Sequence, residues 1–169
     1  NSVEAPEWLR PLTTWLISRS RIESGTRRFP VVASGKEYWD GWCHGQSGHI
    51  MTLLSLYRLT RREDSIQLAS ELGWALSRRP LSSTSHLCCG SGGLGYAFLG
   101  LFSATGESEW LRLARRACAS ALRTCTNSDR VIPTSLWKGP WGVACLEADL
   151  HTLRFTSPPV FGWDDLVQA

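Results

Sequence analysis

At 169 residues, with 43% hydrophobic and 20% charged residues, the chain has the balance of an ordinary globular protein and length enough for a sizeable core, which excludes disorder as its general state. Eighteen Lys and Arg against fifteen Asp and Glu leave a net charge of +3, scattered rather than clustered, so no nucleic-acid partner is expected. No apolar run approaches the roughly 18 residues of a transmembrane segment. The opening Asn1-Ser2-Val3-Glu4 has neither an initiator Met nor a signal-peptide layout, and the expectation is a segment of a longer protein.

Taken in chain order, Pro6 to Arg19 reads as an outer helix with Trp8, Leu12, Trp15 and Leu16 on its inward side, and Arg19–Arg28 as a solvated stretch. Trp42-Cys43-His44-Gly45-Gln46-Ser47-Gly48 then opens a helix in which Ile50, Leu53, Leu54 and Tyr57 recur at helical spacing. Leu56 and Leu59 widen that stripe, which marks the helix as interior. Thr60-Arg61-Arg62-Glu63 has capping-box spacing and predicts a second, outer helix with Ile66, Ala69, Leu72 and Leu76 on its apolar side. Ser82–Ser85 reads as a loop.

The pattern then returns. Leu87-Cys88-Cys89-Gly90-Ser91-Gly92-Gly93 repeats the first motif 45 positions later, followed by the apolar run Leu94 to Phe102 and a break at Thr105-Gly106. From Glu107 to Cys125, Trp110, Ala114, Ala117 and Ala121 oppose Arg112, Arg116 and Arg123, and Thr126–Thr134 reads as a loop. Leu136-Trp137-Lys138-Gly139-Pro140-Trp141-Gly142 is a third copy, 49 positions further on, with Trp137 where Cys43 and Cys88 stand. Helical hairpins near 46–79, 91–125 and 140–152 predict an all-α fold and a single domain over 1–169. Inner and outer helices would alternate, either in an open superhelix or in a closed ring. In a ring, the inner helices share one end, where the Gly-x-x-Gly turns gather.

Six cysteines stand at 43, 88, 89, 118, 125 and 145. Adjacent Cys88 and Cys89 suit two ligands on one ion better than two bridges, and no secretory segment supports a disulfide framework. A reduced, cytoplasmic protein with a metal site is expected. Cys43 and Cys88 hold equivalent repeat positions and Cys89 adds a third sulfur. Three thiolates without an evident fourth protein ligand suit a zinc ion with one open position. His44 is a further candidate, as an alternative ligand or as a catalytic proton donor at the rim. His49 could face the same cavity or simply pack; Cys118, Cys125 and Cys145 read as core.

These residues resemble the lanthionine synthetase C-like cyclases. Trp42-Cys43-His44-Gly45 and Cys88-Cys89-Gly90-Ser91-Gly92-Gly93-Leu94-Gly95-Tyr96-Ala97-Phe98-Leu99 are similar to that family's Trp-Cys-(His or Tyr)-Gly and Cys-His-Gly segments, and Ser135-Leu136-Trp137-Lys138-Gly139 with Ala148-Asp149-Leu150 to its closing segments. The resemblance implies an α/α toroid holding one Zn2+ at Cys43, Cys88 and Cys89. The implied activity is addition of cysteine thiols to dehydroalanine or dehydrobutyrine, closing thioether rings in a dehydrated precursor peptide. A fused or partner dehydratase is implied as well. Cys-Cys-Gly in place of Cys-His-Gly resembles the cyclase domain of class II lanthipeptide synthetases. A formally neutral centre becomes minus one, and a bound thiol should be correspondingly more nucleophilic. The family's acid/base His and Asp would precede residue 1 in this register, so the C-terminal part of the ring is expected. Two other functions stay open: a peptide-binding helical-repeat module with structural zinc, and a glutathione-adding relative.

Overall fold

Residues Leu9–Ser18 form α1 in the computed structural model, which describes residues 6–23, 25–125 and 132–153. The predicted loop Thr126–Thr134 lies largely outside the described residues. The chain divides into two units between Arg79 and Pro80. The first holds α1, the strands β1 (Arg21–Glu23) and β2 (Thr26–Arg28), and the helices α2 (Gln46–Thr60) and α3 (Glu63–Ser77). The second holds α4 (Ser91–Thr105), α5 (Ser108–Thr124) and α6 (Pro140–Thr152). The fold is all-α, with one small antiparallel hairpin.

In the first unit, α1 presents a different face from the predicted one. Leu9 and Thr13 are buried, whereas Trp8 (64%), Leu12 (48%) and Trp15 (53%) are exposed. Thr13 can sit inward because its hydroxyl donates to the Leu9 carbonyl at 2.7 Å, which leaves only its methyl to pack. The hairpin pairs Arg21 with Arg28, Ile22 with Arg27 and Glu23 with Thr26. Ion pairs anchor it: Arg27 to Glu71 of α3, and Arg28 to Asp40, which Arg79 also reaches at 3.1 Å. Helix α2 buries Ile50, Leu53, Leu54 and Leu56, although Leu59 is exposed, and α3 faces it with Leu68, Ala69, Leu72 and Leu76.

Thr60 does not form the predicted capping box. It ends α2, donating to the Leu56 carbonyl at 2.7 Å and accepting the Arg62 amide, while Arg61 turns the chain in the left-handed region (φ 54°). Forty-five positions on, Thr105 and Gly106 do the same between α4 and α5. Thr105 donates to Leu101 and accepts the Glu107 amide, and Gly106 has φ 74°. A left-handed residue there frees the chain to start the next helix, a conformation that costs glycine little.

In the second unit, α4 is enclosed on nearly every side, with Tyr96, Ala97, Phe98, Leu99 and Leu101 buried. Trp110 of α5 is fully buried and stacks on Phe98 with ring centroids 6.0 Å apart. Burying side chains of this size contributes roughly 1.5–3 kcal/mol each. Val143, Leu146 and Leu150 of α6 complete this core, and a methyl group at Gly95 would lie 2.6 Å from Leu146. Cys118 is buried as expected. Cys125 and Cys145 are only half-buried, Cys125 because it is already the cap residue beyond α5.

Candidate metal centre and its turns

Helices α2, α4 and α6 each begin at a glycine, and none of the three has a side-chain cap: Gly45 for α2, Gly90 for α4 and Gly139 for α6. Backbone carbonyls of the preceding loop supply the acceptors. Gln46 and Ser47 donate to Trp39 and Asp40 at 3.0 and 3.3 Å, and their equivalents Ser91 and Gly92 donate to Thr84 and Ser85 at 2.9 Å. The loop folds so tightly onto the helix start that a methyl group at Gly90 would stand 2.6 Å from the carbonyl oxygens of both Thr84 and His86. The cysteines sit in these folded-back loops, just before their helices.

In the first unit, Cys43 and His44 are exposed on a turn whose Trp42 carbonyl presses against Gly48. They line a hollow of about 340 Å³ together with Trp42, Gly45, Gly48, His49 and Thr52. His44 meets Trp39 edge-on, with ring centroids 5.6 Å apart. His49 is held more firmly. Its Nδ1 lies 2.9 Å from the Gly45 carbonyl, and its ring stacks on Phe29 at 4.2 Å and 1°. Phe29 is itself fixed by the buried Gln46, which accepts from the Phe29 amide at 2.9 Å and donates to its carbonyl at 2.8 Å. Burial pushes the His49 pKa down, partly opposed by the Gly45 hydrogen bond, so the neutral ring is favoured.

In the second unit, Cys88 and Cys89 bring their sulfurs to 3.4 Å. That separation is far longer than a disulfide and close to the ~3.8 Å edge of a tetrahedron of thiolates around zinc at ~2.3 Å. The pair is positioned from two sides. The Cys88 amide donates to the Trp137 carbonyl at 3.1 Å, and the Cys89 amide donates to His86 Nδ1 at 3.2 Å. His86 is buried; desolvation, and secondarily the charge of Lys138, lower its pKa and keep Nδ1 an acceptor. Among the described residues none of the six cysteines is in a disulfide.

Sequence reading singled out Cys43, His44, Cys88 and Cys89 and left His49 either facing the cavity or packing, but missed the supporting role of His86. The His86-x-x-Cys89 spacing is the local signal for that role. For His49, the four-residue separation from Gly45 allows the ring-to-carbonyl bond, but its stacking partner Phe29 is too distant in sequence to be read.

A family model described as lanthionine synthetase C-like protein matches residues 7–158. Glutathione S-transferase LANCL1 of Danio rerio is 30% identical over 128 residues, covering 72% of this chain and 31% of that protein. The chain thus matches about a third of that relative's length. With its repeated glycine-capped helices and paired thiols, the chain belongs to the lanthionine synthetase C-like family.

Proposed function

We propose that the chain is part of an α/α toroid that adds a cysteine thiol to dehydroalanine or dehydrobutyrine in a peptide, forming a thioether at a zinc centre held by Cys43, Cys88 and Cys89. The observation that carries this reading is the adjacent Cys88–Cys89 pair, spaced for one ion and held by hydrogen bonds that both of its amides donate. Cys43 occupies the repeat position of Cys88, and three thiols of this kind are a donor set able to hold a metal ion. Bound there, zinc would supply a Lewis acid that lowers the pKa of a fourth, substrate thiol.

The chain's own residues do the rest. The folded-back loops hold the cysteines at the heads of α2 and α4, where the helix N-termini favour thiolate over thiol. His44 lies on the exposed rim, available to a proton moving to or from the reacting carbon. The substrate is a dehydrated precursor peptide, prepared by a dehydratase fused to or partnering this chain, in the reducing cytoplasm.

A second reading takes glutathione as the thiol, supported by the likeness to a protein named as a glutathione S-transferase. The zinc-loaded chain, incubated with a dehydroalanine peptide that also carries a cysteine, is expected to consume the peptide thiol with no change of mass, whereas glutathione addition would raise the mass. A metal already saturated by a fourth protein ligand, with neither product formed, would instead identify a binding module with structural zinc.

A further inference from the structure

We propose that His49 is the proton acceptor for a thiol entering the hollow beside Cys43. This rests on the thiol-adding function proposed above. A carbonyl oxygen only accepts, so the 2.9 Å contact with Gly45 places the ring hydrogen on Nδ1 and leaves the Nε2 lone pair as the acceptor. The ring cannot easily turn, because it is stacked on Phe29, and Gln46 fixes Phe29 through both backbone groups of that residue. Of the described residues lining the hollow, only Cys43, His44 and His49 carry a titratable side chain, and none is a carboxylate that would hold a second proton on the imidazole. His44 by comparison is exposed and, among the described residues, meets Trp39 edge-on.

The step balances without another reactant. The S–H bond breaks, its electron pair stays on sulfur, and the proton bonds to Nε2 while Nδ1–H remains on Gly45. Sulfur then bonds to the β-carbon of the dehydroamino acid and the double-bond pair moves toward the α-carbon. That carbon takes the proton back from Nε2, restoring the neutral ring.

The test uses the full chain loaded with zinc and N-acetylcysteine amide as the thiol. Calorimetric titration in two buffers of different ionisation enthalpy counts the protons released. The unaltered protein should release about one proton fewer per thiol bound than His49→Phe, in which the aromatic stack is kept and the acceptor lost. Equal release overturns the proposal. Independently of any variant's folding, 15N spectra of the histidine-labelled, unaltered chain should show His49 changing from an Nδ1–H imidazole to an imidazolium as thiol is added. A ring that stays neutral while thiol binds also overturns it. Failure of the unaltered protein to bind the thiol at all overturns the thiol-adding function together with this role for His49. Binding with unchanged proton release overturns the role alone.

Discussion

The amide of Cys88 donates to the carbonyl of Trp137, its own equivalent in the next repeat, at 3.1 Å. Two successive motif turns thus stand back to back in the second unit. The contact is between backbones, so it does not depend on which side chain the motif carries at that position. Within this unit, a turn in one hairpin touches the same turn of its neighbour. Trp137 marks where the series of cysteines stops.

His86 shapes the proposed centre by accepting the Cys89 amide. Replacing a partner that orients a metal ligand costs on the order of tenfold in affinity. His86→Leu is therefore expected to bind zinc about tenfold more weakly in a chelator competition. His86→Asn, whose side-chain oxygen offers an acceptor at a similar reach, should recover most of the loss. Equal affinities in the two variants would remove His86 from the centre.

In the proposed zinc centre, Cys89 would also set the charge. Cys89→His would restore a formally neutral ion and should slow alkylation of a bound substrate thiol, measured with iodoacetamide on the zinc-loaded chain. An unchanged rate would show that the third thiolate does not tune the nucleophile.

Arg61 adopts a left-handed conformation that Gly106 occupies in the next repeat. Arg61→Gly should stabilise the protein by about 0.5–1 kcal/mol, less any contribution from the guanidinium lying 5.9 Å from the Tyr57 ring. A higher urea midpoint with an unchanged slope is the expected result. Gly106→Ala should move the midpoint the other way by a comparable amount.

What could be read from the sequence, and what could not, divides along physical lines. The turns were legible because the residues there are restricted in type: glycine where a carbonyl closes on the backbone, as at Gly90, and cysteine where a thiol is presented. Helices α3 and α5 were legible because one face is apolar and the other charged. The hairpin Arg21–Arg28 was not, since Arg27 and Arg28 are anchored by Glu71 and Asp40, and ion pairs leave no hydrophobic alternation. On α1 the larger stripe, Trp8, Leu12 and Trp15, is exposed. The inward residue Thr13 reads as polar until its hydroxyl is seen to bond within the helix. Thr60 has the right spacing for a cap yet serves the helix before it.

Cys118 makes stability depend on alkaline pH. Its thiol donates to Glu147 at 3.1 Å, and burial, together with that carboxylate, pushes its pKa from about 9 up to about 12. Above pH 9 an unfolded chain releases this proton while the folded one keeps it. The stabilising contribution is complete below that pH and is lost as pH rises toward 12. Cys118→Ser keeps a donor for Glu147 but does not titrate there. Its unfolding free energy should fall less steeply between pH 9 and 12 than that of the unaltered protein, by urea denaturation at each pH. Parallel profiles would show that the thiol is not protected by the fold.

Gln46 carries more of the first unit than its place at the head of α2 suggests. Its side chain is 2% exposed and pairs with both the amide and the carbonyl of Phe29, linking the hairpin's exit to the helix that follows the Cys43 turn. Gln46→Leu preserves much of the volume but leaves two buried backbone groups without partners, and should cost about 2–4 kcal/mol. The effect should extend beyond stability, because Phe29 is the surface on which His49 is stacked. In the variant the 15N signals of His49 should move toward the average of two tautomers, since nothing then holds Nδ1 on the Gly45 carbonyl. A variant destabilised to that extent with His49 spectrally unchanged would mean that the Gly45 bond alone orients the ring.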